Sequence, residues 1–114
     1  RQHIDSIQAL NQQAKIIVMG DLNDDPDDKS IVEGIHTRPK PAFLLKGEFY
    51  NPWSEQLRKG KGTLAHKDSW GLFDQILLSA SCLKKNPAEW YFFKEYIYNK
   101  YYYPICNYIF VIFL

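Results

Sequence analysis

The chain has 114 residues, of which 46% are hydrophobic and 24% are charged, and its formal net charge is +1. This length and composition are those of one small globular domain. The near balance of 14 basic and 13 acidic residues argues against a strongly basic DNA-coating protein and against an acidic disordered chain. A nucleic-acid or phosphate enzyme stays compatible with the composition, because its charge can be concentrated locally.

Aromatic residues are distributed unevenly along the chain. Twelve of the eighteen lie in residues 90–114, and no charged residue follows Lys100. The chain therefore divides into a globular segment, residues 1–100, and an apolar tail, residues 101–114. That tail has only fourteen residues, fewer than the ~18 that a membrane-spanning helix needs, so no transmembrane segment is predicted. Cys82 and Cys106 fit no disulfide scaffold or zinc pattern, and the compartment and the oligomeric state are left open.

The first two predicted elements are a helix and a strand. Apolar residues recur at three- and four-residue steps over residues 3–14, which predicts an amphipathic helix. Residues 16–19 (IIVM) form a continuous apolar run that Gly20 ends, as in a strand buried on both faces of a sheet. Five acids follow within residues 21–28, and a short helix is predicted from Asp27 or Asp28 as N-cap to Gly34.

The remainder is read as loop and strands. Proline and glycine residues predict an irregular region over residues 36–67. Strands are predicted over residues 72–78 and 90–97, with a turn between them at Asn86. Residues 108–114 read either as a buried strand or, as the preferred hypothesis, as part of a tail that replaces an authentic C-terminus lost through a frameshift or gene truncation. One helix and two or three separated strands do not close a core, so we expect a piece of a larger α/β domain.

The segment GDLN (residues 20–23) lies where the first strand is predicted to end. Enzymes built on α/β sheets place their chemistry at strand ends, where a rigid backbone projects side chains into a crevice. Asp21 and Asn23, two residues apart on an extended segment, are expected to point the same way. A carboxylate can orient or deprotonate water or bind a metal, and an amide can donate to a phosphoryl oxygen without adding charge.

The acidic segment has two other interpretations. A calcium loop would begin well with Asp21, Asn23 and Asp25, but Pro26 stands where its turn needs glycine and Val32 where it needs a bidentate glutamate. An acidic turn that only caps the next helix accounts for Asp27 or Asp28. It gives no reason for an acid and an amide directly after a buried strand.

The segment IIVMGDLND (residues 16–24) resembles the GD[FL]N segment of the endonuclease/exonuclease/phosphatase superfamily, whose fold is shared with DNase I. A second segment, WGLFDQILLS (residues 70–79), resembles the later strand of that family, in which an acid precedes an apolar run and a serine. The resemblance covers about residues 1–100 and is closest to bacterial members. It implies a mixed α/β (α+β) fold, here the C-terminal half of a two-sheet, four-layer DNase I-like sandwich.

The resemblance also implies a chemistry, which is metal-dependent phosphoester hydrolysis with Mg²⁺ or Mn²⁺. Asp21 is similar to the acid that activates the attacking water and contributes to the metal site, and Asn23 to the amide that contacts the scissile phosphate. Asp74 is similar to the acid that orients a catalytic histidine. The implied partner is a phosphoester substrate, either a nucleic acid or a phosphorylated small molecule or lipid headgroup.

Several expected residues have no counterpart in this chain. The main metal-binding glutamate belongs to a preceding half of the family domain, and no segment here matches the SDH segment that carries the catalytic histidine. His3, His36 and His66 all precede Asp74 and do not replace that histidine. The chain is therefore expected to be inactive by itself. A non-catalytic docking fragment that uses the aromatic tail is the main alternative, and a calcium module is the less favoured one.

Two groups of residues between the motifs each have two interpretations. A basic cluster in a glycine-rich loop either contacts substrate phosphates or is solvated, the second being favoured; its members are Arg58, Lys59, Lys61 and Lys67. An aromatic group is interpreted as either a lid or a cover for the sheet edge; it consists of Phe49, Tyr50 and Trp53.

Overall fold

The computed structural model describes residues 1–66, 68–98 and 108–113. Its strands, in chain order, are β1 (Ile17–Asp21), β2 (Thr37–Arg38), β3 (Phe49–Tyr50), β4 (Leu64–His66), β5 (Ser69–Gly71), β6 (Asp74–Ser79), β7 (Phe92–Tyr98) and β8 (Tyr108–Phe113). Its helices are α1 (Gln2–Leu10) and α2 (Trp53–Arg58), with a π-helical turn at Ser30–Ile35 and 3₁₀ turns at Pro41–Phe43 and Ala80–Leu83. The mixed α/β class predicted from the sequence is confirmed.

β6 organises the main sheet, in which the strand order is β1-β6-β3-β2. β1 and β3 are both antiparallel to β6, and β2 is parallel to β3. The β1–β6 register pairs Ile17 with Leu78 at one end and Asp21 with Asp74 at the other. The end of the first motif is thus brought against the beginning of the second.

The hydrophobic core is formed by β3, β6 and α2. Phe49, Trp53, Leu72, Leu77 and Leu78 are all completely buried. The indole Nε1–H of Trp53 donates to the carbonyl of Ile76 at 3.2 Å, which ties α2 to the middle of β6. The aromatic group is therefore not a lid, because Phe49 and Trp53 belong to the core and Tyr50 is only half-buried.

Two smaller sheets accompany the main one. β4 pairs antiparallel with β5, and β7 pairs antiparallel with β8. The β7–β8 sheet is joined to the main sheet by an edge-to-face contact between the rings of Tyr50 and Phe92, whose centroids are 5.7 Å apart. The strand expected over residues 90–97 is confirmed as Phe92–Tyr98. Residues 108–113 form the strand Tyr108–Phe113, which was the less favoured interpretation of that segment. Residues 101–107 and 114 of the predicted tail lie outside the described residues.

The first helix and strand differ from their predictions. α1 ends at Leu10 because Asn11 turns into extended backbone and accepts the N–H of Gln13 on its own side chain. Its apolar face is only partly covered by the described residues, with Ile7 46% and Leu10 90% exposed. β1 was expected to be buried on both faces, but β6 is its only neighbour among the described strands, and Met19 is 71% exposed. The apolar run identified a strand but not its position at the sheet edge.

The region over residues 36–67 is more ordered than predicted. It contains β2, β3, β4 and α2, which are too short to produce a periodic apolar pattern. The helix expected after the acidic segment is a π-helical turn that begins after Lys29, and Asp28 does not cap it with its side chain. The Asp28 carboxylate instead accepts the N–H of Asp25 at 2.7 Å. The strand expected over residues 72–78 is confirmed as β6, Asp74–Ser79, and the turn expected at Asn86 lies at residues 87–88.

No helix in the described part of the chain has both the length and the apolar character needed to cross a bilayer.

Candidate active site

Asp21 and Asp74 lie directly opposite each other at the open end of the β1–β6 ladder. The N–H of Leu22 donates to the carbonyl of Phe73 at 2.8 Å, so the next residue pair is hydrogen-bonded. Because the two kinds of pair alternate in antiparallel sheets, Asp21 and Asp74 form a non-hydrogen-bonded pair, in which Cα atoms are about 4.5 Å apart and side chains share a face. Two carboxylates are therefore presented side by side, Asp21 exposed and Asp74 half-buried.

A hydrogen bond connects the backbone of Asn23 to the side chain of Asp21. The Asn23 N–H donates to Oδ1 of Asp21 at 3.0 Å, which makes an Asx turn. Asn23 has a φ of 54°, in the left-handed region that asparagine tolerates better than most residues. The expectation that Asp21 and Asn23 share an extended segment is therefore wrong, since β1 ends at Asp21. A tight turn brings the two residues together instead.

Gly20 allows β1 to enter this turn. Its φ is 150°, which a residue with a side chain rarely adopts, while space around its Cα is open. The glycine of the GDLN segment is thus required by backbone conformation and not by crowding.

The site turn, residues 21–25, is also held from its far side. Oδ1 of Asp25 accepts the N–H of Leu72 at 2.6 Å, which links the turn to the segment that leads into β6. The Asp25 carboxylate is thus engaged by the protein itself, unlike the free ligand that the calcium-loop interpretation requires. Within the described residues, no group of three or more His, Cys, Asp or Glu is arranged to hold a metal ion.

A buried pair of amides beneath the site turn was missed by the sequence interpretation. Gln75 and Asn51 are both completely buried, and Nδ2 of Asn51 donates to Oε1 of Gln75 at 2.9 Å. Nε2 of Gln75 donates in turn to the carbonyl of Asp24 at 2.7 Å. The one available signal was a polar residue, Gln75, at the start of an otherwise apolar strand.

The charges around the site are mainly acidic. Arg58 reaches Asp27 at 3.4 Å, and Lys59 forms an ion pair with Glu55 at 2.9 Å along α2. Two members of the basic cluster are thus paired with acids, which agrees with the favoured solvated interpretation, and Lys67 lies outside the described residues. A phosphoester near Asp21 and Asp74 would meet negative charge, so binding it requires a cation.

The histidines occupy three separate elements. His3 lies exposed on α1, and His36 is exposed with a φ of 66° just before β2. The backbone of His66 ends β4, where a loop was predicted. Neither His3 nor His36 forms a hydrogen bond or an ion pair with Asp74, whose carboxylate has no such partner among the described residues.

The donor set suits a hard divalent cation. Like charges directly opposite each other destabilise a strand pair, so a cation beside Asp21 and Asp74 would relieve their repulsion. Carboxylate oxygens are the ligands that Mg²⁺ prefers, and this ion is usually held by one or two carboxylates together with water and substrate phosphate. The residues present are therefore compatible with one part of a magnesium site.

Comparison with known proteins identifies a family. The model of the endonuclease/exonuclease/phosphatase family matches residues 1–103, which include the site turn and β6. No curated protein and no solved structure matches the chain significantly. The matched region spans most of the chain and agrees with the extent of the resemblance over residues 1–100. The chain therefore belongs to the endonuclease/exonuclease/phosphatase family.

Proposed function

We propose that this chain contributes Asp21, Asn23 and Asp74 to the active site of a metal-dependent phosphoester hydrolase. The supporting observation is the in-register pairing of Asp21 with Asp74, which joins the two family segments at one end of the sheet. Members of the family are generally hydrolases that use divalent metals. A phosphoester substrate fits an acidic site of this kind, provided that a cation lies between the substrate and the carboxylates.

Each residue has a distinct role in this proposal. Oδ1 of Asp21 accepts the Asn23 N–H, which fixes the carboxylate and leaves Oδ2 to accept a proton from the attacking water. The Asn23 side-chain amide is exposed beside it and donates to a phosphoryl oxygen as charge develops. Asp74 orients the imidazole of the catalytic histidine, which the family resemblance assigns to a segment that this sequence does not match. The metal, when bound, supplies Lewis-acid polarisation of the phosphoryl group.

We further propose that the 114-residue chain is not catalytically competent by itself. The family resemblance assigns the main metal-binding glutamate and the catalytic histidine to segments that this sequence does not match. Asp21 alone offers too few ligands to hold a magnesium ion tightly. Activity then requires the remaining part of the site.

The test measures hydrolysis of bis(p-nitrophenyl) phosphate with Mg²⁺ or Mn²⁺, by this chain and by the longer protein restored from its genomic locus. Each is also prepared as Asp21→Ala and as Asp27→Ala, the second being a control in an exposed acid of the same segment. We expect activity only in the longer protein, reduced about 100-fold or more by Asp21→Ala and about unchanged by Asp27→Ala.

Other outcomes have clear meanings. Hydrolysis by the short chain that depends on Asp21 would contradict the proposed incompetence but support the site. Inactivity of both proteins, or equal activity of both Asp→Ala variants, would remove the hydrolase proposal. Tight binding of Ca²⁺ by the isolated chain in a metal titration would favour the calcium module instead.

A further inference from the structure

The hydrogen bonds at the two ends of the buried amide pair fix the orientation of both side-chain amides. Oδ1 of Asn51 accepts the backbone N–H of Trp53 at 3.0 Å, and because that group can only donate, Nδ2 of Asn51 faces Gln75. At the other end the carbonyl of Asp24 can only accept, so Nε2 of Gln75 faces it. Three hydrogen bonds thus run in one sense from the start of α2 to the site turn.

A buried amide pair lowers the stability of the fold unless each of its hydrogen-bonding groups has a partner. A buried amide that loses a partner costs about 1–3 kcal/mol, whereas an apolar residue in a strand that faces the core needs no partner. Gln75 is followed in β6 by the apolar residues 76–78. Stability alone would therefore be served by another apolar residue at position 75. The bond that an apolar residue could not make is the one to Asp24.

We propose that Gln75 is a positioning residue, which holds the site turn so that Asp21 faces Asp74, with Asn51 setting the orientation of its amide. Gln75 is paired with Gly20 across the ladder, one position from the Asp21–Asp74 pair. Its side chain therefore restrains the turn on the buried face of the sheet, while the two carboxylates occupy the opposite face. This inference rests on the proposed function for its catalytic consequence, but the contact itself can be tested separately.

The first measurement uses the unsubstituted chain and NMR. The Nε2 protons of Gln75 are expected to exchange with solvent much more slowly than those of Gln12, which is exposed. Rapid exchange of the Gln75 amide, comparable with that of Gln12, would overturn the proposal without the need for any variant.

The second measurement compares Gln75→Met with Gln56→Met. Gln56 is a matched control, because its Nε2 also donates to a side chain, that of Glu95 at 3.1 Å, but away from the site. Gln75→Met leaves the buried Nδ2 of Asn51 without its acceptor, so we expect some acceleration of exchange at the core amide of Phe49. We expect the backbone amides of Leu22, Asn23 and Asp25 to be accelerated about tenfold or more beyond that of Phe49. Gln56→Met is expected to leave the turn amides as they are.

Catalysis supplies an independent measurement in the longer protein. Gln75→Met is expected to lower kcat about 10- to 100-fold with little change in KM, because misplacement of reacting groups affects the chemical step. Equal acceleration of exchange throughout the chain, or equal kcat in both methionine variants, would indicate a purely structural glutamine and overturn the proposal. Selective loosening of the turn in a longer protein without any activity would support the contact and reject only the proposed hydrolase function.

Discussion

At the scale of single residues, Asn23 combines a backbone role with a chemical one. Its left-handed conformation, with a φ of 54°, is what turns the chain away from β1 directly after Asp21. Its exposed side chain is at the same time the amide that the family segment requires. Glycine and alanine separate these roles, because glycine accepts the conformation and alanine does not, while neither supplies an amide.

We expect Asn23→Gly to leave the free energy of unfolding within about 0.5 kcal/mol of the original and Asn23→Ala to lower it by about 1 kcal/mol. Both variants should reduce hydrolysis by the longer protein about 100-fold or more, because both lose the amide donor. Urea unfolding and the phosphodiester assay measure the two effects. Full activity in Asn23→Gly would show that only the turn matters.

A second residue-scale prediction concerns the pair formed by Arg38 and Glu48. Nε of Arg38 donates to Oε1 of Glu48 at 3.0 Å, and the N–H of Leu45 donates to Oε2 at 2.9 Å. The hydrogen bond from Arg38 is the main cause that holds the pKa of Glu48 below its ordinary value of 4.5. The pair therefore stabilises the fold fully above pH 4.5, and this contribution is lost as the pH falls through the lowered pKa of the folded state.

The test compares the free energy of unfolding of the original chain with that of Glu48→Gln between about pH 6 and about pH 3. The original should be the more stable at the upper end, and the difference should shrink as the pH is lowered. A difference that is constant over this interval would mean that the charge of Glu48 does not contribute.

At the scale of elements, β6 connects the core to the site. Its completely buried residues are Gln75, Leu77 and Leu78, and it begins with Asp74 at the site. α2 packs on it through Trp53, whose indole is buried and bonded to the carbonyl of Ile76. Asp74 thus begins the strand on which α2 is anchored, although α2 contributes none of the three proposed site residues.

We expect Trp53→Phe to lower the free energy of unfolding by about 1–3 kcal/mol, because it leaves the Ile76 carbonyl without its donor and reduces packing. Trp70→Phe is the matched control, since Trp70 is 39% exposed, and should change stability by no more than about 0.5 kcal/mol. Denaturant unfolding followed by circular dichroism distinguishes the two. Equal effects would show that α2 does not anchor the sheet.

At the scale of the whole molecule, residues 108–113 of the apolar tail take part in the fold. Residues 108–113 pair with β7 along its length, from Tyr98–Tyr108 to Phe92–Phe113. The docking alternative treats the same segment as a surface for another protein. The two interpretations predict opposite effects when the tail is removed.

We expect a chain that lacks residues 101–114 to associate more strongly than the intact chain, because β7 loses its pairing with β8 and then has no paired edge among the described strands. The ring of Phe93, which is already 55% exposed in the intact chain, adds apolar surface to that strand. Sedimentation velocity over a range of concentrations measures the association. Adding Phe93→Lys to the shortened chain should reverse the association, since a charge at an edge opposes strand pairing. Assembly by the intact chain that disappears on shortening would support docking.

Local sequence patterns predicted those features of the structure that depend on residues adjacent in the chain. The apolar run before Gly20 predicted a strand, and Asp21 and Asn23 followed as candidate site residues. The same patterns failed for Trp53 and Phe49, whose burial depends on β6, and for Met19, whose exposure depends on which strands are adjacent. Their short elements carry too few residues for periodicity to reveal a face.

The sequence by itself determined the family segments, the strands that carry them and the candidates Asp21, Asn23 and Asp74, because each follows from a short run of adjacent residues. Only the tertiary structure decided that Asp21 and Asp74 are paired. It alone showed that Gln75 and Asn51 support the site turn. Strand register and buried hydrogen bonds join residues more than twenty positions apart, and nothing in a local pattern determines which of them will meet.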